Sequence, residues 1–214
     1  MKNFLHKGGI NLSISEKAKA YFVQGLDLFG SGQREKAIKY FNEAINLSPN
    51  YADVYLRRGD AYRGLKQYER AIQDYNKAIQ LKPNYEEAYF GRGVTCCLLS
   101  EYKQAIADFN KAIRLNPNEA DYYLFRGHAY SNKNIGQYEL AIQDYNKAIQ
   151  LNPNEAGYYN GRGYVYMFVL GQYDRALSDY AKAMELEPND VSRHEIYQQC
   201  LRAFERSMRP GYRD

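Results

Sequence analysis

Three histidines, three cysteines and a recurring arginine–aspartate pair are the side chains of this 214-residue chain best placed to do chemistry. His6, His128 and His194 are scattered. None has a Cys, Asp or His beside it at a spacing that clusters or repeats, so no zinc signature is present. Cys96 and Cys97 are adjacent and Cys200 is distant, which is no disulfide framework and fits a reduced compartment. No Ser/His/Asp or Cys/His set suggests a nucleophile. Gly91-Arg92-Gly93 and Gly161-Arg162-Gly163 have the composition of phosphate loops but no strand-turn-helix setting. They read as small residues at a helix crossing. The expectation is a chain that is not an enzyme and holds no cofactor or metal.

The charged pair is more informative. Arg58, Arg92, Arg126 and Arg162 each precede a glycine, and Asp74, Asp108, Asp144 and Asp179 each precede an aromatic residue. The corresponding places nearer the N-terminus hold Gln24 and Tyr40, so the two charges appear together and disappear together. They are expected to meet, either across the helices of one repeat or between neighbours, as a charge-assisted pair that fixes helix orientation. Fourfold repetition marks the pair as architecture rather than catalysis.

The elements that carry it form a tandem array. Ala71 to Leu81, Ala-Ile-Gln-Asp-Tyr-Asn-Lys-Ala-Ile-Gln-Leu, returns letter for letter at Ala141 to Leu151. Ala105 to Leu115 carries the pattern closely, and Ala37 to Leu47 and Ala176 to Leu186 more loosely. Pro49, Pro83, Pro117, Pro153 and Pro188 mark the period, at spacings of 34, 34, 36 and 35 residues. Apolar and small residues recur at helical spacing within each copy, as in Tyr68, Ala71, Ile72, Tyr75, Ala78 and Ile79. Each copy therefore reads as two helices. The first are expected at 14–30, 52–65, 86–99, 120–133 and 156–169, and the second at 34–47, 68–81, 102–115, 138–151 and 173–186. Proline stops each second helix, because it lacks an amide donor and disfavours helix at the residue before it. The extra residues of copies four and five fall between Tyr130 and Ala141 and between Tyr166 and Ala176. Both additions are expected in turns, where insertions cost little.

At the ends, Ser13 and Glu16 form a capping box that starts the first helix near Ile14. Ser192 and Glu195 make a second one for a final helix. That helix carries Ile196, Tyr197, Cys200, Leu201 and Phe204 on one stripe, opposed by Arg193, Gln199, Arg202 and Arg206, as a terminal cap would. Pro210 and Gly211 end it. Ile10, Leu12 and Ile14 alternate with polar residues, so the leader reads as an extended or disordered tail, or as a segment lying in a groove.

Tyr55, Gly59, Tyr62, Ala71, Tyr75, Ala78 and Pro83 in the second copy, and Tyr89, Gly93, Cys96, Ala105, Phe109, Ala112 and Pro117 in the third, carry a family likeness. The chain resembles the tetratricopeptide repeat family over roughly residues 18 to 190. It departs from the pattern in two ways: the leading aromatic is always Tyr, and Arg stands before the glycine where the family usually has Leu. The resemblance implies an all-α fold, an α-solenoid of antiparallel helix pairs in a right-handed superhelix. The expected organisation is a leader (1–13), five repeats over 14–190 (about 18–51, 52–85, 86–119, 120–155 and 156–190), a capping helix (191–209) and a tail (210–214).

Composition narrows the partner. The regularly phased tyrosines, 23 in all with no Trp, read as packing residues rather than a platform for bases. The net charge of +4 sits at the two ends, leaving the repeats neutral. A neutral array lacks the basic face that nucleic acid requires. No stretch has the length of a membrane span and the first residues hold no signal-like apolar run, so a soluble, cytoplasmic protein is expected.

The family likeness further implies a concave groove, lined by the first helices, that holds a peptide. Carried over copy by copy, that groove presents Phe22, Leu56, Phe90, Leu124 and Asn160 in one row, with Asp53, Glu87 and Asp121 beside them. A further row holds Leu26, Asp60, Val94, His128 and Tyr164, and Arg57 and Phe125 lie between. Relatives that grip a chaperone tail by its carboxylate use Lys and Asn in these rows. Here the matching places hold Asp53, Glu87 and Asp121, and Arg57, Gly91 and Phe125, so that clamp is absent. The acidic row either complements the amide dipoles of the first helical turns or selects a segment with apolar anchors and basic residues. The function expected is a noncatalytic scaffold for a protein or peptide segment. The alternatives are a self-assembling module joined through the leader or the C-terminal helix, and the regulatory portion of a larger enzyme.

Overall fold

The computed structural model describes residues 13–208. The expectations for the leader up to residue 12 and for a helix stop at Pro210 and Gly211 lie outside the described residues. Among those residues there are eleven helices and no strand. They are α1 (Ile14–Gly30), α2 (Arg34–Leu47), α3 (Ala52–Gly64), α4 (Tyr68–Leu81), α5 (Glu86–Leu98) and α6 (Tyr102–Leu115). The series continues with α7 (Ala120–Ser131), α8 (Tyr138–Leu151), α9 (Ala156–Phe168), α10 (Tyr173–Leu186) and α11 (Val191–Ser207). The fold class is all-α, that of α-solenoids built from antiparallel helix pairs. Two compact units divide inside α5, between Thr95 and Cys96. In the first, α1 pairs with α2 and α3 with α4. In the second, α7 pairs with α8 and α9 with α10, and α11 packs on α10.

Helix ends follow local chemistry. Each second helix stops two residues before its proline, and the intervening residue is extended, as at Lys82 (φ −135°, ψ 87°) and Asn152 (φ −142°, ψ 94°), which is the restriction proline places on its predecessor. The first helices end one or two residues earlier than the periodicity predicts, at Gly64, Leu98, Ser131 and Phe168. A left-handed residue turns the chain at one place in every copy: Gly32, Lys66, Ser100, Gly136 and Gly171. The next amide then returns to the helix just finished, as Gln33 N to Leu28 O (2.9 Å), Gln67 N to Tyr62 O (2.9 Å) and Gln172 N to Tyr166 O (2.8 Å). The extra residues of copies four and five lie in these turns, 132–137 and 169–172 against 65–67 and 99–101.

Ser13 forms the expected box: its hydroxyl accepts from Glu16 N (3.2 Å) and its amide donates to Glu16 Oε2 (2.7 Å). The expected second box does not form. The cap of α11 is Asp190, whose Oδ1 accepts from Ser192 N (3.0 Å) and Ser192 Oγ (2.6 Å). An ionised carboxylate two residues earlier outcompetes a hydroxyl for the free amides, and Ser192 becomes a donor to the cap. Asp190→Ala is therefore expected to cost about 1 kcal/mol and Ser192→Ala clearly less, measured by urea unfolding followed by circular dichroism; equal costs would restore Ser192 as the cap.

The core is made at the helix crossings, where the large aromatic rings of α2, α4, α8 and α10 press on glycine. Tyr75 is fully buried. A Cβ added at Gly59 would lie 2.9 Å from its ring and one at Gly91 2.8 Å. Tyr145 is held in the same way by Gly127 (2.9 Å) and Gly161 (2.7 Å). Gly91 and Gly161 belong to the apparent phosphate loops, and their role is close approach. The leading tyrosines tie each copy to the proline before it: the hydroxyls of Tyr55, Tyr123 and Tyr159 donate to the carbonyls of Pro49, Pro117 and Pro153, each at 3.0 Å, and Tyr89 to Pro83 at 3.3 Å.

Candidate functional site

Arg58, Arg126 and Arg162 are each a three-way clamp. Arg58 Nε and Nη2 bind the two carboxylate oxygens of Asp74 (2.8 and 2.7 Å), and Nη1 donates to Asn42 Oδ1 (2.6 Å). Arg126 does the same with Asp144 (2.8 and 2.6 Å) and Asn110 (2.6 Å), and Arg162 with Asp179 (2.9 and 2.6 Å) and Asn146. The aspartate belongs to the same copy and the asparagine to the preceding one, so one guanidinium fixes three helices. Each of these guanidiniums also lies over the leading tyrosine of its copy, 5.6 to 5.9 Å from the ring centre. The asparagine arm escapes the sequence reading although its signal is in the chain. Asn42, Asn76, Asn110 and Asn146 follow the aromatic wherever the next copy has the arginine, and Ala181 stands there where α11 has Tyr197.

The first-helix faces hold the expected groove residues, and each unit places them differently. In the first unit Leu56 and Val94 are buried, 1% and 8% exposed, rather than on the surface. Tyr85, just ahead of α5, and Ala88 on α5 pack in the cluster that contains Leu56, and periodicity within one helix cannot see those neighbours. Phe22 is half-buried against Phe41 (6.0 Å) and Tyr51 (5.1 Å), and Leu26 packs into the same cluster. Asp53 accepts from Tyr85 Oη. Arg57 bridges Asp60 (3.2 Å) and Glu87 (3.6 Å). Tyr75 Oη donates to Asp60 Oδ1 (2.9 Å), and Arg63 donates to both Tyr75 Oη (3.2 Å) and Asp60 (3.3 Å). Phe90 is half-buried on α5. This face is a closed polar network around Tyr75.

In the second unit the face is open. Asp121 accepts from Tyr158 Oη of the next copy (2.9 Å), as Asp53 does from Tyr85 just ahead of α5. Leu124 is half-buried against Ala148, Tyr158 and Val165. Phe125 meets His128 edge-on (6.0 Å), and His128 leans on Tyr145 (5.7 Å). The surrounding protein holds the His128 imidazole below its ordinary pKa although the side chain keeps access to solvent. Tyr164, half exposed, stacks on Phe168 (4.9 Å). His128, Ser131, Tyr145, Asn160, Tyr164 and Arg193 line a cleft of about 560 Å³, which Gly157, Gly161, Ser192 and Ile196 complete. Of these, the sequence reading named His128, Asn160 and Tyr164 as groove residues; Ser131 and Arg193 carried no signal of their own.

The other reactive groups are quiet. Burial pushes the thiols of Cys97 and Cys200 up to about 11, so both stay protonated and poorly nucleophilic near neutral pH. Among the described residues no group of three or more His, Cys, Asp or Glu side chains could hold a metal ion, and no helix is long and apolar enough to cross a membrane.

Family comparison agrees with this architecture. Models described as TPR repeat match residues 25–65, 59–96 and 135–167, and models described as tetratricopeptide repeat match 86–119 and 156–190. The chain belongs to the tetratricopeptide repeat family. Among solved tetratricopeptide repeat structures it is similar to MamA from Desulfovibrio magneticus RS-1 (residues 41 to the end), with 26% identity, 83% of this chain and 99% of that one covered, and a TM-score of 0.74. YrrB, described as a TPR protein with an unusual peptide-binding site, shares the fold at 20% identity and a TM-score of 0.68, covering 85% of this chain and 92% of that one. The uncharacterised protein MJ0572 of Methanocaldococcus jannaschii is 40% identical over 48 residues, 22% of this chain. The chain spans about half of that curated relative, 56% of its length. Tetratricopeptide repeat proteins act as scaffolds for protein interaction, which is the coarse function of the fold.

Proposed function

We propose that this tetratricopeptide repeat protein is a noncatalytic scaffold that holds a segment of a partner protein on its first-helix faces. The supporting observation is the cleft of the second unit, which has aromatic walls (Tyr145, Tyr164, His128) and a few directed polar groups (Ser131, Asn160, Arg193). That combination suits a side chain carried on a peptide better than a reaction centre. The exposed stack of Tyr164 on Phe168 extends the apolar surface beside it and offers anchor area at low entropy cost. Asp53 is half-buried and bound by Tyr85, so the charge that selects a basic segment falls chiefly on Glu87 and Asp121, which stay exposed.

The test is selection of peptides on the full chain by display, followed by affinity measurement on variants. Tyr164→Ala is expected to weaken the selected peptides at least about tenfold, as loss of an aromatic hot spot does, and Phe90→Ala and Leu124→Ala to weaken those that cover them. Gln80→Ala, exposed on a second helix, is expected to change nothing. Binding untouched by all three first-helix variants would contradict the proposal. Light scattering separates it from self-assembly: a mass that rises with concentration favours the latter.

A further inference from the structure

The chain contains its own control for the cleft. α4 and α8 share eleven identical consecutive residues, from Ala71 and from Ala141. Their central tyrosines, Tyr75 and Tyr145, lie between matched glycines, Gly59 and Gly91 in one unit and Gly127 and Gly161 in the other. Around Tyr75 the place four residues after Gly59 is Arg63, whose guanidinium donates to the tyrosine hydroxyl at 3.2 Å and to Asp60 at 3.3 Å. Around Tyr145 the matching place, four residues after Gly127, is Ser131. Its short side chain reaches only to 3.4 Å from the Tyr145 hydroxyl. Asp60 is matched by His128 and Phe90 by Asn160. The space that Arg63 fills in the first unit is therefore open in the second, as the cleft of about 560 Å³.

What lines the cleft indicates what fills it. Asn160 Oδ1 is buried and has no hydrogen-bond partner. With the hydroxyl oxygens of Tyr145 and Ser131 it makes three acceptors, and the face of the half-exposed Tyr164 favours a flat cation. Arg193 is the cation on the opposite wall, and it is already neutralised by Glu187 (2.6 Å) and Asp190 (3.0 Å). Its Nη1 is buried without a partner, a donor suited to a peptide carbonyl. We infer that the cleft between α7, α8, α9 and α11 receives the guanidinium of an arginine side chain on the bound segment, supplying from the partner what Arg63 supplies within the first unit. This rests on the peptide-binding proposal and gives it a chemistry.

The experiment has two arms. In the first, N-acetyl-arginine amide and its neutral isostere N-acetyl-citrulline amide are titrated into the isotopically labelled full chain and followed by NMR. Arginine is expected to shift the resonances of His128, Ser131, Asn160 and Tyr164, with citrulline about tenfold weaker. Ser131→Arg, which the equivalent copy already accommodates, is expected to abolish the shifts by filling the cleft from within, and Asn160→Ala to weaken binding about tenfold. Equal affinity for the two amides, no shift at these residues, or binding unchanged in both variants would overturn the inference. In the second arm, peptide display is repeated on Ser131→Arg. Arginine enriched at one position by the parent and lost by the variant supports the inference. Peptides recovered with no such preference overturn it while leaving the scaffold proposal intact, and no recovery from either protein overturns both.

Discussion

Arg126→Ala is expected to destabilise the second unit by about 3–5 kcal/mol, the cost of leaving a buried charge without its partner. Asp144 has a side-chain exposure of only 6%, and burial pushes its carboxyl above the ordinary carboxylate range against the pull of Arg126. Without the guanidinium, the charge must be carried unpaired or neutralised, and either costs stability. Asp144→Ala is expected to cost less, because Arg126 is 19% exposed and keeps Asn110 and the faces of Tyr123 and Tyr130. The double variant should be less destabilised than the two losses summed, with a coupling of about 1–3 kcal/mol in a double-mutant cycle read by urea unfolding. Additive losses would mean that the pair is incidental and that packing alone sets the helix angle.

The same substitution at two glycines of α1 is expected to act in opposite directions. At Gly25 an added Cβ would fall within van der Waals contact of a ring, 2.6 Å from Phe41 Cδ1 and closer still to Cε1. Phe41 is fully buried and packs in a cluster with Ala37, Ile38, Ala44, Val54 and Ala61, so it cannot swing away. Gly25→Ala is expected to cost about 3 kcal/mol, the upper end of overpacking penalties. At Gly30 nothing lies within 4 Å of the added atom. There alanine only lowers the conformational entropy of the unfolded chain, and Gly30→Ala is expected to be neutral or stabilising by up to about 1 kcal/mol. A shift of the urea midpoint in the same direction for both would show that helix propensity, not the crossing with Phe41, governs α1.

The phase of the array was legible because each copy repeats the same local instructions. Proline stops the second helix through its own backbone, the insertions fall where turns absorb them, and glycine faces the rings of α2, α4, α8 and α10 where they cross first helices. The arginine–aspartate pair was legible because the residues vary together between copies. The asparagine arm varies with them too, from Asn42 to Ala181, but lies one copy away and is visible only when neighbouring copies are compared. What one helix cannot encode is the contact made by the next copy. Leu56 sits at a position whose counterparts Phe22, Phe90, Leu124 and Asn160 keep partial exposure, and it is buried because Tyr85 and Ala88 close over it. Asp190 capped α11 ahead of Ser192 because two good caps lay within one turn and the charged one prevailed. The cleft is the extreme case: Ser131, Asn160 and Arg193 lie on three different helices, and only the fold makes them neighbours.

A partner segment is expected to lie along the first-helix faces. Photo-crosslinking tests it most directly, with a photoreactive residue placed singly at Leu124 or Tyr164 on first helices and at Gln80 or Gln150 on second helices of the full chain, against a display-selected peptide. Adducts are predicted from Leu124 and Tyr164 and not from Gln80 or Gln150. Adducts of equal yield from both sets, or from the second helices alone, would contradict it.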